Sequence, residues 1–117
     1  MEVSYIMAGK RFKARDHNDL NRQLNQLGLV TNLDNKGLGS LSARRTTEPG
    51  TVRYNLVQSY GDSADIEGYD VCVGKVIMEN RDSEVIEVTE LSELEKTLEE
   101  VKQDIPDAKV LVGSYWI

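Results

Sequence analysis

The apolar residues of this chain follow two rhythms, and the clearest stretch lies toward its C-terminal end. Leu91, Leu94, Leu98, Val101 and Ile105 recur at steps of three and four, which places their side chains along one side of an α-helix. Glu, Lys and Gln dominate the positions between them, so the pattern predicts an amphipathic helix of about four turns with a buried stripe. Ser92 followed by Glu95 forms a capping-box pattern for its start, with Thr89 as a competing start one turn earlier, and Pro106 ends it. After the proline, Lys109 to Trp116 has the Val, Tyr and Trp content of a strand, and its run of three apolar residues predicts a place inside a sheet.

The second rhythm is alternation. Val3, Tyr5 and Met7 alternate with Glu2, Ser4 and Ile6, and Gly9-Lys10 suits a two-residue turn, which predicts an opening hairpin. On its second strand Phe12 and Ala14 would face one way, with Arg11, Lys13 and Arg15 facing the other. Asp16 or Asn18 can cap a short helix carrying Leu20, Leu24 and Leu27, with Gly28 as its stop. Residues 31–40 hold Asn32, Asp34, Asn35, Gly37 and Gly39 and predict a loop. A second hairpin follows, with residues 41–47 and 51–60 flanking Glu48-Pro49-Gly50 and with Val52, Tyr54, Leu56 and Tyr60 on one face. Residues 61–68 read as a polar connection and residues 69–79 as a strand, in which Val71 and Val73 are out of phase with Val76 and Met78. A bulge near Gly74 would absorb that slip. Asn80-Arg81-Asp82 turns the chain into residues 84–88, the approach to the long helix.

Phe12, Ala14, Asp19, Leu20 and Leu24 align at a constant offset with Ile86, Val88, Glu93, Leu94 and Leu98. The match suggests two ββα units at about residues 2–28 and 70–105, although any strand running into an amphipathic helix produces similar matches. The expected fold is a single α+β domain over residues 1–117. It has a mainly antiparallel sheet of six or seven strands and two helices packed on one face.

Composition changes this picture little, and charge changes it more. The length suits one core, and no apolar run approaches the ~20 residues needed to span a membrane. The start of the chain lacks a basic, then hydrophobic, leader, and Cys72 is the only cysteine, so no intrachain disulfide forms. Cytoplasm is the expected compartment. The net charge of −6 hides an asymmetry: residues 1–58 carry nine Lys and Arg against five Asp and Glu, and residues 59–117 carry five against fifteen. Segregation of this kind fits two faces of one fold, an acidic surface for a basic partner, a basic patch for nucleic acid, or solubility alone.

The residues offer little local chemistry. His17, the only histidine, stands beside Asp16 and Asp19 at a helix start, where the dipole disfavours imidazolium. Cys72 lies in an apolar strand and reads as a small buried hydrophobe rather than a nucleophile. Asp62, Asp65, Glu67 and Asp70 supply hard oxygen donors, but Ser63 and Gly74 fall where a calcium loop needs its first and last carboxylates. Gly37-Leu38-Gly39-Ser40 lacks the lysine and flanking elements of a phosphate loop. No metal, cofactor or catalytic constellation is therefore expected.

What remains is binding. The leading expectation is a small acidic binding or inhibitory protein that acts on a basic protein partner, in the manner of immunity proteins or phage-encoded antagonists as a class. Glu87, Glu93, Glu95, Glu99 and Glu100 would form its surface. The alternatives are a nucleic-acid-binding module using the basic N-terminal hairpin with Arg11, Lys13, Arg15 and Arg44, and a small enzyme whose site leaves no local motif.

Overall fold

A computed structural model of the chain describes residues 2–31, 42–47, 53–58, 69–81 and 85–116. Their elements in chain order are β1 (Glu2–Ala14), α1 (His17–Asn25), β2 (Leu29–Thr31), β3 (Ser42–Arg45), β4 (Arg53–Gln58), β5 (Tyr69–Asn80), α2 (Leu91–Lys102) and β6 (Lys109–Trp116). The strands form one antiparallel six-stranded sheet in the order β2-β3-β4-β5-β1-β6, which with the two helices gives an α+β fold. No helix among the described residues is long and apolar enough to cross a membrane. The chain packs as two compact units, Arg11–Val73 and Met1–Lys10 with Gly74–Ile117.

In the first unit, Asp16 caps α1 by accepting from the Asp19 backbone N–H at 2.9 Å, which satisfies one of the donors a helix start leaves open. Leu20 and Leu24 are fully buried, and Gly28, at φ +78°, takes the left-handed conformation that stops the helix. The chain then enters β2, a three-residue strand inside what reads as a helix stop running into a loop. Asn21 on α1 fastens it, its Oδ1 accepting from the Thr31 backbone N–H at 3.1 Å and the Thr31 hydroxyl at 2.6 Å. β3 pairs with β2 through Leu29↔Arg45 and Thr31↔Ala43, and with β4 through Ser42↔Asn55 and Arg44↔Arg53. The antiparallel β3–β4 pair is the expected second hairpin, with Tyr54 and Leu56 buried on one face. The turn expected at residues 48–50, Val52, Tyr60, residues 32–40 of the expected loop and the connection expected at residues 61–68 lie outside the described residues.

In the second unit, the expected hairpin at Gly9-Lys10 is absent, because β1 runs unbroken through both residues. The reason lies just upstream. Tyr5, Ile6, Met7 and Ala8 are buried in succession, so both faces of the strand are covered, as for an interior strand rather than one arm of a hairpin. Gly9 pairs with Lys109 on β6 instead of turning, and the ladder continues to Glu2↔Trp116. On β5, Gly74 lies against the Ala8 backbone: a Cβ there would stand 2.0 Å from the Ala8 carbonyl oxygen.

Four further expectations for this unit need correction. The Ser92–Glu95 capping box does not form: α2 begins at Leu91, leaving Ser92 within the helix, and Glu90 is an N-cap without a side-chain bond. The helix stripe is buried only toward its C-terminal end. Val101 and Ile105 are fully buried, Leu94 and Leu98 half-buried, and Leu91 is 67% exposed. Residues 85–90 carry no regular structure, although Asn80 steadies their start by donating from Nδ2 to the Val85 carbonyl at 2.6 Å. Finally, β6 is an edge strand rather than an interior one. An apolar run reports strand propensity but not the number of neighbours, and among the described residues β6 has one neighbouring strand, β1.

Candidate functional site

The two units divide the charge unevenly. Met1–Lys10 with Gly74–Ile117 carries six Lys and Arg against twelve Asp and Glu, while Arg11–Val73 carries eight of each. The whole net charge of −6 therefore falls on the unit containing α2 and β6. All five glutamates anticipated for binding are in this unit, and Glu87, Glu93, Glu95, Glu99 and Glu100 are all exposed.

They do not make one continuous patch. At ~100° per residue, Glu93 and Glu100 share one flank of α2, while Glu95 and Glu99 lie roughly 100° or more away on the other. Glu100 accepts from Lys75 Nζ at 3.2 Å and Glu99 stands 3.8 Å from Lys102. Exposed pairs such as these hold little net energy, about 0–1 kcal/mol. Glu87 stands apart on the irregular segment before α2, next to half-buried Ile86.

Beside Ile86 the second unit opens a cleft of about 430 Å³, lined by Ile86, by Glu2, Ser4 and Ile6 of β1, and by residues 112–114 of β6. The register explains the grouping: Ile6 lies opposite Val112 and Ser4 opposite Ser114, so side chains from both strands share one sheet face. On the other face Gly113 makes room for Tyr5, because a Cβ there would stand 2.8 Å from the Tyr5 hydroxyl. The Tyr5 and Tyr115 rings are tilted against each other at 5.9 Å, and the Tyr115 hydroxyl donates to Glu79 Oε1 at 2.9 Å. Burial, followed by the Glu79 carboxylate, raises the Tyr115 phenol above its ordinary value.

The basic strand emerges as expected in one respect, with Arg11, Lys13 and Arg15 exposed and Phe12 and Ala14 buried. Arg11 and Arg15, however, meet carboxylates of their own unit. Asp70 accepts from Arg11 Nε at 2.7 Å and also from Arg11 Nη2, a two-pronged pair. Asp19 accepts from the Arg15 backbone N–H at 2.9 Å and from Arg22 Nη1 at 3.3 Å, and the Arg15 backbone bond is the main reason its carboxyl is lowered. The Lys13 carbonyl accepts from Gln23 Nε2 at 3.0 Å, and Arg44 is half-buried on β3. This surface is thus a fork of ion pairs more than a run of cations.

The Asp70 carboxyl is held below its ordinary 3.8 chiefly by the hydrogen bond from Arg11. A depressed native value stabilises the fold at pH above the unfolded value and loses that contribution as pH falls through the native one. Asp70→Asn is therefore expected to cost about 1 kcal/mol at neutral pH, since Arg11 is half exposed. In urea unfolding the gap between variant and wild type should close in strong acid. A gap that persists there would assign it to packing rather than to the ion pair.

His17 is exposed at the first turn of α1, and Cys72 is buried. Asp62, Asp65 and Glu67, and the glycines at 37 and 39, lie outside the described residues. Among the described residues no three His, Cys, Asp or Glu side chains gather as metal ligands would. Comparison with protein-family models, with curated proteins and with solved structures finds no match. The cleft is the feature that sequence reasoning missed, because it joins residues from three distant stretches; the alternation of Ser4 and Ile6 was its only local signal.

Proposed function

We propose that this chain is a small non-enzymatic binding or inhibitory protein that meets a basic protein through the acidic unit containing α2 and β6. The observation that supports it is the charge division: twelve carboxylates against six cations in this unit, with Glu87, Glu93 and Glu95 exposed and without ion pairs among the described residues. Like charges gathered on one small unit repel even where they form no single patch, a cost to the free protein that Lys or Arg from a partner relieves, and the same field speeds encounter. Glu99 and Glu100 contribute to the field while engaged with Lys102 and Lys75.

The test uses a partner retained from host lysate by the immobilised protein and then purified. Its association rate is measured against salt for wild type and for a Glu87→Lys, Glu93→Lys double variant, which spares the Lys75–Glu100 pair. The rate should fall tenfold or more at low salt and less at high salt, where a Debye length of about 8 Å or shorter screens the field. Equal rates for the two proteins, or retention only of acidic partners, would reject the reading.

A further inference from the structure

The cleft adjoins an edge of the sheet, formed by β6 among the described residues. β6 uses one side for eight register pairs with β1, Glu2↔Trp116 to Gly9↔Lys109, and no strand of the described residues lies on its other side. In an antiparallel strand every second residue directs its N–H and C=O to the same side, so the outer side of β6 presents a row of backbone donors and acceptors. Soluble proteins guard such edges with charges, prolines, bulges or a covering element. From Val110 to Trp116 there is no charged residue and no proline, and Val112 is 75% and Val110 41% exposed.

We infer that the outer edge of β6 accepts an extended segment of a basic partner as an added strand, with an apolar side chain of that segment seated in the cleft. This rests on the proposed reading of the protein as a binder of basic proteins, and it specifies the partner's chemistry. A segment antiparallel to β6 runs in the direction of β1. Its residue opposite Val112 lies on the cleft face, level with Ile6, and its residue two positions earlier lies opposite Ser114, level with Ser4. Val112 is apolar and exposed and Ser114 is small, so these two positions of the segment suit a β-branched or leucyl side chain that packs on Val112 or reaches the cleft. The residue four positions before the Val112 level falls at the end where Glu2 pairs with Trp116. Glu2 lines the cleft at this end, so a Lys or Arg at that position lies on the face that carries its carboxylate. The recognised pattern is thus a cation followed at the second and fourth positions by apolar residues. A second copy of the chain is the other natural occupant of a bare edge, but it would bring two units of −6 together edge to edge.

The test is selection from a displayed library of random peptides against the full chain, followed by amide hydrogen exchange of the chain with the best peptide bound. Expected are peptides with the cation–apolar–apolar spacing, slowed exchange in residues 110–116, and at least tenfold weaker binding to Val112→Lys, whose position is too exposed for the change to unfold the protein. N-methylation of alternate peptide residues should abolish binding at the set that donates to β6 and leave it nearly unchanged at the other set, which side-chain binding alone does not produce. Basic peptides that protect α2 and leave β6 exchanging freely would overturn the strand-acceptor site while sparing the acidic-surface reading. Selection of peptides without cations would overturn both. A dimer at micromolar concentration with β6 protected in the absence of peptide, or no selectable peptide at all, would also overturn the proposal.

Discussion

Val101→Asp is expected to destabilise the protein by about 4 kcal/mol, the order set by placing a carboxylate where neither water nor a cation reaches it. Val101 is fully buried, and its carbonyl accepts from Ile105 N–H at 2.9 Å, so the last turn of α2 carries the buried end of the stripe. The gradient along the helix makes the prediction specific. Leu98 is half-buried, so Leu98→Asp should cost less, about 2 kcal/mol, because the new charge can turn toward solvent. Glu99→Ala should change stability by no more than about 0.5 kcal/mol. Urea unfolding of the three variants checks the order, and equal midpoints for the Val101 and Leu98 variants would contradict the burial gradient.

Gly74→Ala is expected to cost about 3 kcal/mol, at the upper end of ordinary overpacking. The added Cβ would meet the Ala8 carbonyl oxygen at 2.0 Å and the Gly9 Cα at 2.6 Å. Both are backbone atoms of a paired strand, so relief requires moving the strand itself. Gly113→Ala is the control: its nearest atom is the hydroxyl end of Tyr5 at 2.8 Å, which a rotation of the ring can shift, and a smaller loss of about 1 kcal/mol follows. Thermal or urea unfolding separates the two. A Gly74→Ala protein as stable as wild type would show that the β5 backbone does not press on β1.

The helices were legible because their signals are local. Asp16 and Gly28 bracket α1, and the three-four spacing of Leu94, Leu98 and Val101 marks α2, although Ile105, expected on the same helix, lies past its end at Lys102. The β3–β4 pair was legible for the same reason, since its arms flank a short turn sequence. What failed were particular judgements that needed to know a distant neighbour. Gly9-Lys10 has turn chemistry but lies on a strand because β6, about a hundred residues on, supplies the pairing. The run Val110 to Val112 has interior composition but sits at an edge, and Leu91 keeps the stripe's phase without anything to cover it. The candidate site divides in the same way. That the glutamates of α2 would be exposed followed from periodicity, whereas the neutralisation of Arg11 by Asp70, fifty-nine residues away, and the meeting of Ile6, Ile86 and Val112 at one cleft depend on tertiary structure.

The pairing of β1 with β6 also governs when this protein can fold. Pairs in the unit Arg11–Val73, such as Thr31↔Ala43 and Ser42↔Asn55, close over short stretches of chain, whereas Glu2↔Trp116 closes over nearly all of it. Loop-closure entropy rises only slowly with length, so the distant pairing costs little at equilibrium and much more in speed, as for other folds built on non-local contacts. On the ribosome, the β2–β3–β4 pairs can form early, while Val3 and the run Tyr5 to Ala8, destined for burial, wait without their β6 neighbours until residues 109–116 have emerged. During that interval an apolar stretch of the newly made chain is exposed to aggregation. Expression rate and chaperone supply, more than the stability of the finished fold, then set how much of it is recovered.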